Sequence, residues 1–224
     1  MKLAWLIDEF KKRKYVITNS DLDGILSASL LIYFFPTLEI GGFTNSSDKV
    51  WINNKVTSDN SIYLDIYMTN PKVLSIDNHI VDFIDNVYSA YKVNPNIMLK
   101  KSLKNYFNKY PFSTFIFLVK LLEENGYYLT VDINKTCGYI VKENIYLWEL
   151  MLRADDTLCN TFLYEKNSHY WWEWVLNSTK ENSILRQLYL KIKCDVQNIE
   201  NAKLIKNKVQ TYFYKKFFIK HDGY

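Results

Sequence analysis

Through the first 160 positions, short runs of consecutive apolar residues alternate with longer stretches whose apolar positions recur every three or four residues. Leu3, Leu6, Ile7 and Phe10 keep the spacing of a short amphipathic helix. Residues 15–18 then read as a strand and 22–35 as a helix that Pro36 stops. Residues 38–43 predict a second strand, followed by a polar stretch with room for a short helix. Two further strands are predicted at 62–66 and 73–76, runs separated by the turn chemistry of Thr69-Asn70-Pro71. This order predicts an α/β domain with a mostly parallel sheet flanked by helices. Phe115, Leu118, Val119 and Leu122 hold helical spacing up to a stop at Asn125-Gly126, and Leu147, Leu150, Met151 and Ala154 repeat it; both helices are expected to cover the sheet. Beyond Tyr164 the pattern is helical, over 169–176, 184–194 and 199–218. The expected organisation is an α/β metal-site domain over 1–163 and an all-helical, basic segment over 164–224.

Composition narrows the class. Aromatics make up 17% of the 224 residues, with only 6 Gly and 4 Pro, which supplies a core and excludes collagen-like or disordered chains. No apolar run approaches a bilayer span and the first residues lead into an amphipathic segment, so the expectation is a cytoplasmic chain without membrane association. Cys137, Cys159 and Cys194 are odd in number and widely spaced, which suits plain packing. The net charge of +4 is uneven: between Lys180 and Lys220, ten Lys or Arg face Glu181, Asp195 and Glu200, giving +7 and leaving the remainder at about −3. Those lysines are either a polyanion-binding surface or the solvated faces of helices. Tyr170-Trp171-Trp172-Glu173-Trp174 permits base stacking, but packing in a core or interface is the favoured reading. His169 and His221 have no partner at ligand spacing.

The candidate chemistry lies where the predicted strands end. The first strand runs into Asn19, Asp21 and Asp23; the third contains Asp65; the fourth ends in Asp77-Asn78-His79; the helix after residue 147 ends in Asp155-Asp156. In a parallel sheet, functional groups gather at the carboxyl ends of neighbouring strands, so these residues are expected to share one cleft. Carboxylates brought so close repel one another and are costly to desolvate, which calls for cations. Oxygen-rich clusters of this kind hold two divalent metals that clamp a phosphate and activate water. No segment fits a P-loop, a dinucleotide fingerprint or a Gly-x-Ser-x-Gly elbow.

Taken in order, Asp21-Leu22-Asp23-Gly24, Asp65 in an apolar strand, Ile76-Asp77-Asn78-His79 and Asp156-Thr157 resemble the four motifs of the DHH phosphoesterases, over about residues 14–160. Ser20–Gly24 and the 113–126 helix are similar to the small oligoribonuclease (nanoRNase) branch and, more distantly, to RecJ-like exonucleases. The resemblance implies a DHH-type fold and a manganese- or magnesium-dependent phosphodiesterase acting on single-stranded nucleic acid or short oligonucleotides. It implies one metal at Asn19, Asp21 and Asp65, and a second at Asp23, Asp65, Asn78 and Asp156, with Asp155 the alternative for the last place. It also implies a catalytic His79 at the scissile phosphate and Asp77 orienting the ligands from behind.

Three departures qualify what the resemblance implies. Asn19 and Asn78 stand where the family has metal-binding histidines, and an amide oxygen is a harder, weaker ligand than imidazole, which favours magnesium or a single weakly held metal. The family's glycine-rich substrate-binding cap is expected to be absent or replaced, since the last 60 residues contain one glycine, Gly223. Two readings therefore remain: a phosphodiesterase, or a catalytically impaired relative that binds protein or nucleic acid through its cleft or its C-terminal helices.

Overall fold

The computed structural model describes residues 3–45, 49–80, 90–101, 108–135, 145–154, 166–177, 179–196 and 199–217. They fall into two compact units, Met1–Tyr110 and Pro111–Tyr224. The boundary expected at 163/164 lies outside the described residues, as do Asp155, Asp156, Cys137, Cys159 and His221.

The first unit is built on a sheet whose order, among the described residues, is β3-β2-β1-β4-β5-β6. Its strands are β1 (Tyr15–Asn19), β2 (Glu39–Asn45), β3 (Lys49–Ile52), β4 (Ser61–Leu64), β5 (Leu74–Ile76) and β6 (Lys92–Val93). All neighbouring pairs are parallel except β2 with β3. The expected α/β architecture with a mostly parallel sheet is therefore present. β1 lies between β2 and β4 and is buried along its whole length, which is why its sequence is a continuous apolar run and not an alternating one. The polar stretch after β2 contains no helix among its described residues. Instead Val50, Trp51 and Ile52 pair with Thr44, Phe43 and Gly42 respectively as an antiparallel edge strand among the described residues, β-branched and aromatic residues favouring that state once a partner strand is available.

Helix α1 (Ala4–Lys12) buries Leu6, Ile7 and Phe10, the face that its spacing predicts. It is fastened by Arg13, which is buried: its guanidinium donates to Glu9 Oε2 (2.9 Å) and to the carbonyls of Ser58 (2.8 Å) and Ser61 (2.7 Å). A charge this deep is tolerated because each nitrogen of the guanidinium donates to at least one acceptor. Helix α2 (Leu22–Phe34) buries Gly24, Ser27 and Ala28 on one face, and these small side chains bring it close to the sheet. A short helix α3 (Pro95–Met98) follows β6, with Asn94 as its N-cap and Pro95 in its first turn.

The second unit is helical: α4 (Thr114–Glu124), α5 (Leu147–Ala154), α6 (Lys166–Leu176), α7 (Ile184–Asp195) and α8 (Ile199–Phe217). Both helices expected to cover the sheet belong to this unit, where α4 packs against α5, α6 and α7. Because Ile116, Phe117 and Leu121 fill the face opposite Phe115, Leu118 and Leu122, α4 is buried all round. It stops where expected: Gly126 takes φ 89° and the Tyr127 amide donates to Leu122 O (2.9 Å). Trp171 and Trp172 are each 1% exposed, and Trp172 lies against Phe112 with centroids 4.7 Å apart, so packing is their role. Cys194, in contrast, is exposed and not packed, because it falls off the Ile184-Leu188-Ile192 stripe that α7 buries. Some of the basic residues are engaged within the unit: Lys208 pairs with Glu149 (2.9 Å), Lys191 with Asp195 (2.8 Å), and Arg186 reaches the carbonyls of Leu176 and Thr179. Among the described residues no helix is long and apolar enough to cross a membrane.

The approach of α2 to β1 depends on Gly24, since a Cβ there would lie 2.4 Å from Asn19 O and 2.7 Å from Thr18 Oγ1. Backbone cannot yield cheaply at such a distance, so Gly24→Ala is expected to destabilise the first unit by about 2 kcal/mol or more, read as a lowered midpoint in urea unfolding.

Candidate active site at the carboxyl edge of the sheet

Three acid-bearing stretches meet because β1, β4 and β5 are consecutive in the sheet and run in the same direction. At the end of β1, Asp21 caps α2 by accepting the Gly24 amide on Oδ1 (2.8 Å). Its other oxygen, Oδ2, accepts from Asn19 Nδ2 at 2.8 Å, and the same nitrogen stands 3.5 Å from Asp65 Oδ2. The Ser20 amide donates to Asn19 Oδ1 (2.9 Å), which turns the N–H edge of that side chain toward the two carboxylates. Asp23 follows in the first turn of α2, 7% exposed, and accepts from Ser27 Oγ (3.4 Å).

Asp65 ends β4 and is 4% exposed. Its φ of 58° puts an L-residue in the left-handed region, at a cost on the order of 1–2 kcal/mol that Asp bears better than most side chains. The same conformation explains why β4 stops at Leu64, short of the expected 66. Local strain of this kind concentrates at functional sites.

After β5, the turn over 77–79 is built around Asp77, which is 1% exposed. Asp77 Oδ1 accepts from the His79 amide (2.8 Å) and from Asn94 Nδ2 (2.8 Å), with His79 Nδ1 3.4 Å away. The His79 side chain is 49% exposed. Desolvation works against its charged form, but the bond to Asp77 and the charges of Asp65 and Asp77 outweigh it and the opposing charge of Lys109, pushing its pKa up to about 9. The imidazole is therefore a cation at neutral pH and offsets part of the carboxylate charge.

Two buried asparagines that the sequence reading passed over hold this turn. Asn94 donates to Asp77 Oδ1 and to His79 O (both 2.8 Å) while its own oxygen caps α3; Asn96 donates to Asn78 O (2.6 Å) and accepts the Tyr110 amide (2.7 Å). Both are 0% exposed. The Asn94-Pro95 pair does signal a helix start, but nothing local reveals partners 15 to 18 residues earlier.

Of the eight residues proposed from sequence, Asn19, Asp21, Asp65, Asp77 and His79 form one hydrogen-bonded and electrostatic neighbourhood. Asp23 lies in the first turn of α2 just after β1, Asn78 follows β5 between Asp77 and His79, and Asp156 is outside the described residues. Among the described residues, no three His, Cys, Asp or Glu side chains are grouped as a metal site. For the first implied metal, Asn19 does not fit, because it offers an N–H donor where a ligand is required. For the second, Asp23, Asp65 and Asn78 each carry a hard oxygen donor of the kind that magnesium or manganese takes. No protein-family model, curated protein or solved structure matches the chain.

Beneath the turn, Lys92 is 5% exposed and donates to Val73 O (2.9 Å); burial pulls its pKa down to about 8 against the attraction of Asp77. Between about pH 8 and 10.5 the folded chain has lost this proton while the unfolded chain keeps it, so the Lys92 contribution to stability rises with pH across that window. Urea unfolding of wild type and Lys92→Met across the window is expected to show the difference moving in favour of wild type.

Proposed function

We propose that the chain is a metal-dependent phosphodiesterase of DHH type that hydrolyses single-stranded or short nucleic acid. One observation carries the reading: side chains from three separated stretches meet at the carboxyl ends of adjacent parallel strands, with buried Asp65 held in a left-handed backbone conformation at their centre. Asp23 and Asp65, with Asn78 and the implied Asp156, would hold a divalent cation, which when bound supplies Lewis-acid stabilisation of phosphate charge and lowers the pKa of water. Asn19 keeps Asp21 and Asp65 together by donating to both. Asp77 orients His79 through Nδ1 and the backbone amide, leaving Nε2 to carry a proton to the departing oxygen.

A second reading is favoured by the Asn19 amide itself. Its N–H groups face Asp21 (2.8 Å) and Asp65 (3.5 Å) and occupy the position where a first metal would need an oxygen ligand. On that reading the chain is a catalytically impaired relative that binds a protein or nucleic-acid partner.

Incubation of a labelled short oligonucleotide with magnesium or manganese separates the two. The phosphodiesterase reading expects metal-dependent cleavage that falls on the order of a hundredfold in Asp65→Asn, a variant that keeps the size of the side chain and its tolerance of the left-handed region. Absence of cleavage, with no metal-dependent rise in melting temperature, would establish the binding reading instead.

A further inference from the structure

The sheet carries an exposed aromatic pair beside this cleft. Phe43 on β2 and Trp51 on β3 are directly opposite in the antiparallel register, and their rings stack with centroids 6.4 Å apart and planes 28° from parallel. They are 37% and 59% exposed, although buried aromatics are abundant elsewhere in the chain. The register continues inward, Trp51 to Phe43 to Thr18, so Phe43 lies one strand spacing, about 5 Å, and Trp51 two, about 10 Å, from β1 near its end. Asn19 is the next residue, and Ser20 donates to Thr44 O (2.8 Å), tying the end of β2 to the candidate site. By strand alternation Lys49 shares the face of Trp51, while Val50 and Ile52 point to the other face.

We propose that Phe43 and Trp51 form a stacking platform for an unpaired base of a single-stranded nucleic acid, with Lys49 meeting its phosphate backbone. The inference rests on the phosphodiesterase reading for its substrate class and adds to it the place where the strand is held. Flat rings set nearly parallel, with most of the outer indole uncovered, suit a planar ligand of any base identity, and the flanking cation complements a polyanion. Such a platform would hold the substrate away from the scissile phosphate. A second copy of the chain is the competing occupant, since β3 is an edge strand. Lys49 on that edge opposes strand pairing, and Val50 and Ile52, not the aromatic pair, make up the aliphatic surface.

The test is fluorescence anisotropy with a labelled oligo(dT) and a labelled oligo(U) of about ten nucleotides, in chelator so that no cleavage intervenes. Trp51→Ala is expected to weaken binding about tenfold, Trp51→Phe to retain most of it, and Val50→Ala, on the opposite face of the same strand, to leave it unchanged. Equal binding by wild type and Trp51→Ala, or no binding by either, overturns the inference. So does a change from dimer to monomer in sedimentation of Trp51→Ala without loss of oligonucleotide binding, which would assign the face to self-association. The two readings fail separately: Trp51-dependent binding without metal-dependent cleavage sinks the enzyme and keeps the platform, whereas cleavage with unaltered KM in Trp51→Ala sinks the platform and keeps the enzyme.

Discussion

A single amide holds the two carboxylates on which the cleft is built. Asp21 and Asp65 follow different strands and are 44 residues apart, yet Asn19 Nδ2 reaches an oxygen of each, and its own oxygen is fixed by the next backbone amide. Charged acceptors near one another in a dry setting need donors or cations, and here a neutral side chain provides the donors. The sheet order makes this possible. Only when β1 and β4 are parallel neighbours do the residue ending one strand and the residue following the other stand side by side.

Around this contact the remaining charges are arranged as a graded set. Asp21 is engaged by α2 as its cap, Asp77 by Asn94 and His79, and the imidazolium spreads its charge between Asp65 and Asp77. Lys92 brings a further amine beneath the turn, held as a donor to Val73 O. On the proposed reading these contacts offset part of the carboxylate charge that a bound ion would meet. This differs from a two-metal centre flanked by histidines, where the cations are themselves the principal compensation.

Much of this was legible in the sequence because its cause is local. The run over 15–17 reads as a buried strand, and Asp21-Leu22-Asp23-Gly24 combines a cap, an acid and the one residue that the contact with β1 allows. What escaped has causes at long range. β3 reads as a polar loop until β2 supplies its partner, and the bonds from Asn94 and Asn96 to the 77–79 turn join residues with no shared periodicity. For α4 the signal was present and half used: counting Phe115, Leu118, Val119 and Leu122 alone gives a one-sided helix, whereas Ile116, Phe117 and Leu121 show apolar residues on every face. The direction in which the Asn19 amide is turned is invisible in sequence, although it decides between ligand and donor.

That direction is also what a direct measurement can reach. Crystals grown with manganese, with data collected at an energy where the metal scatters anomalously, report both the number of ions and the groups beside them. The account predicts one peak, next to Asp23 and Asp65, with the nitrogen of Asn19 still facing Asp21. Two peaks bridged by Asp65 with the amide oxygen of Asn19 as a ligand, or no peak at all, would contradict it.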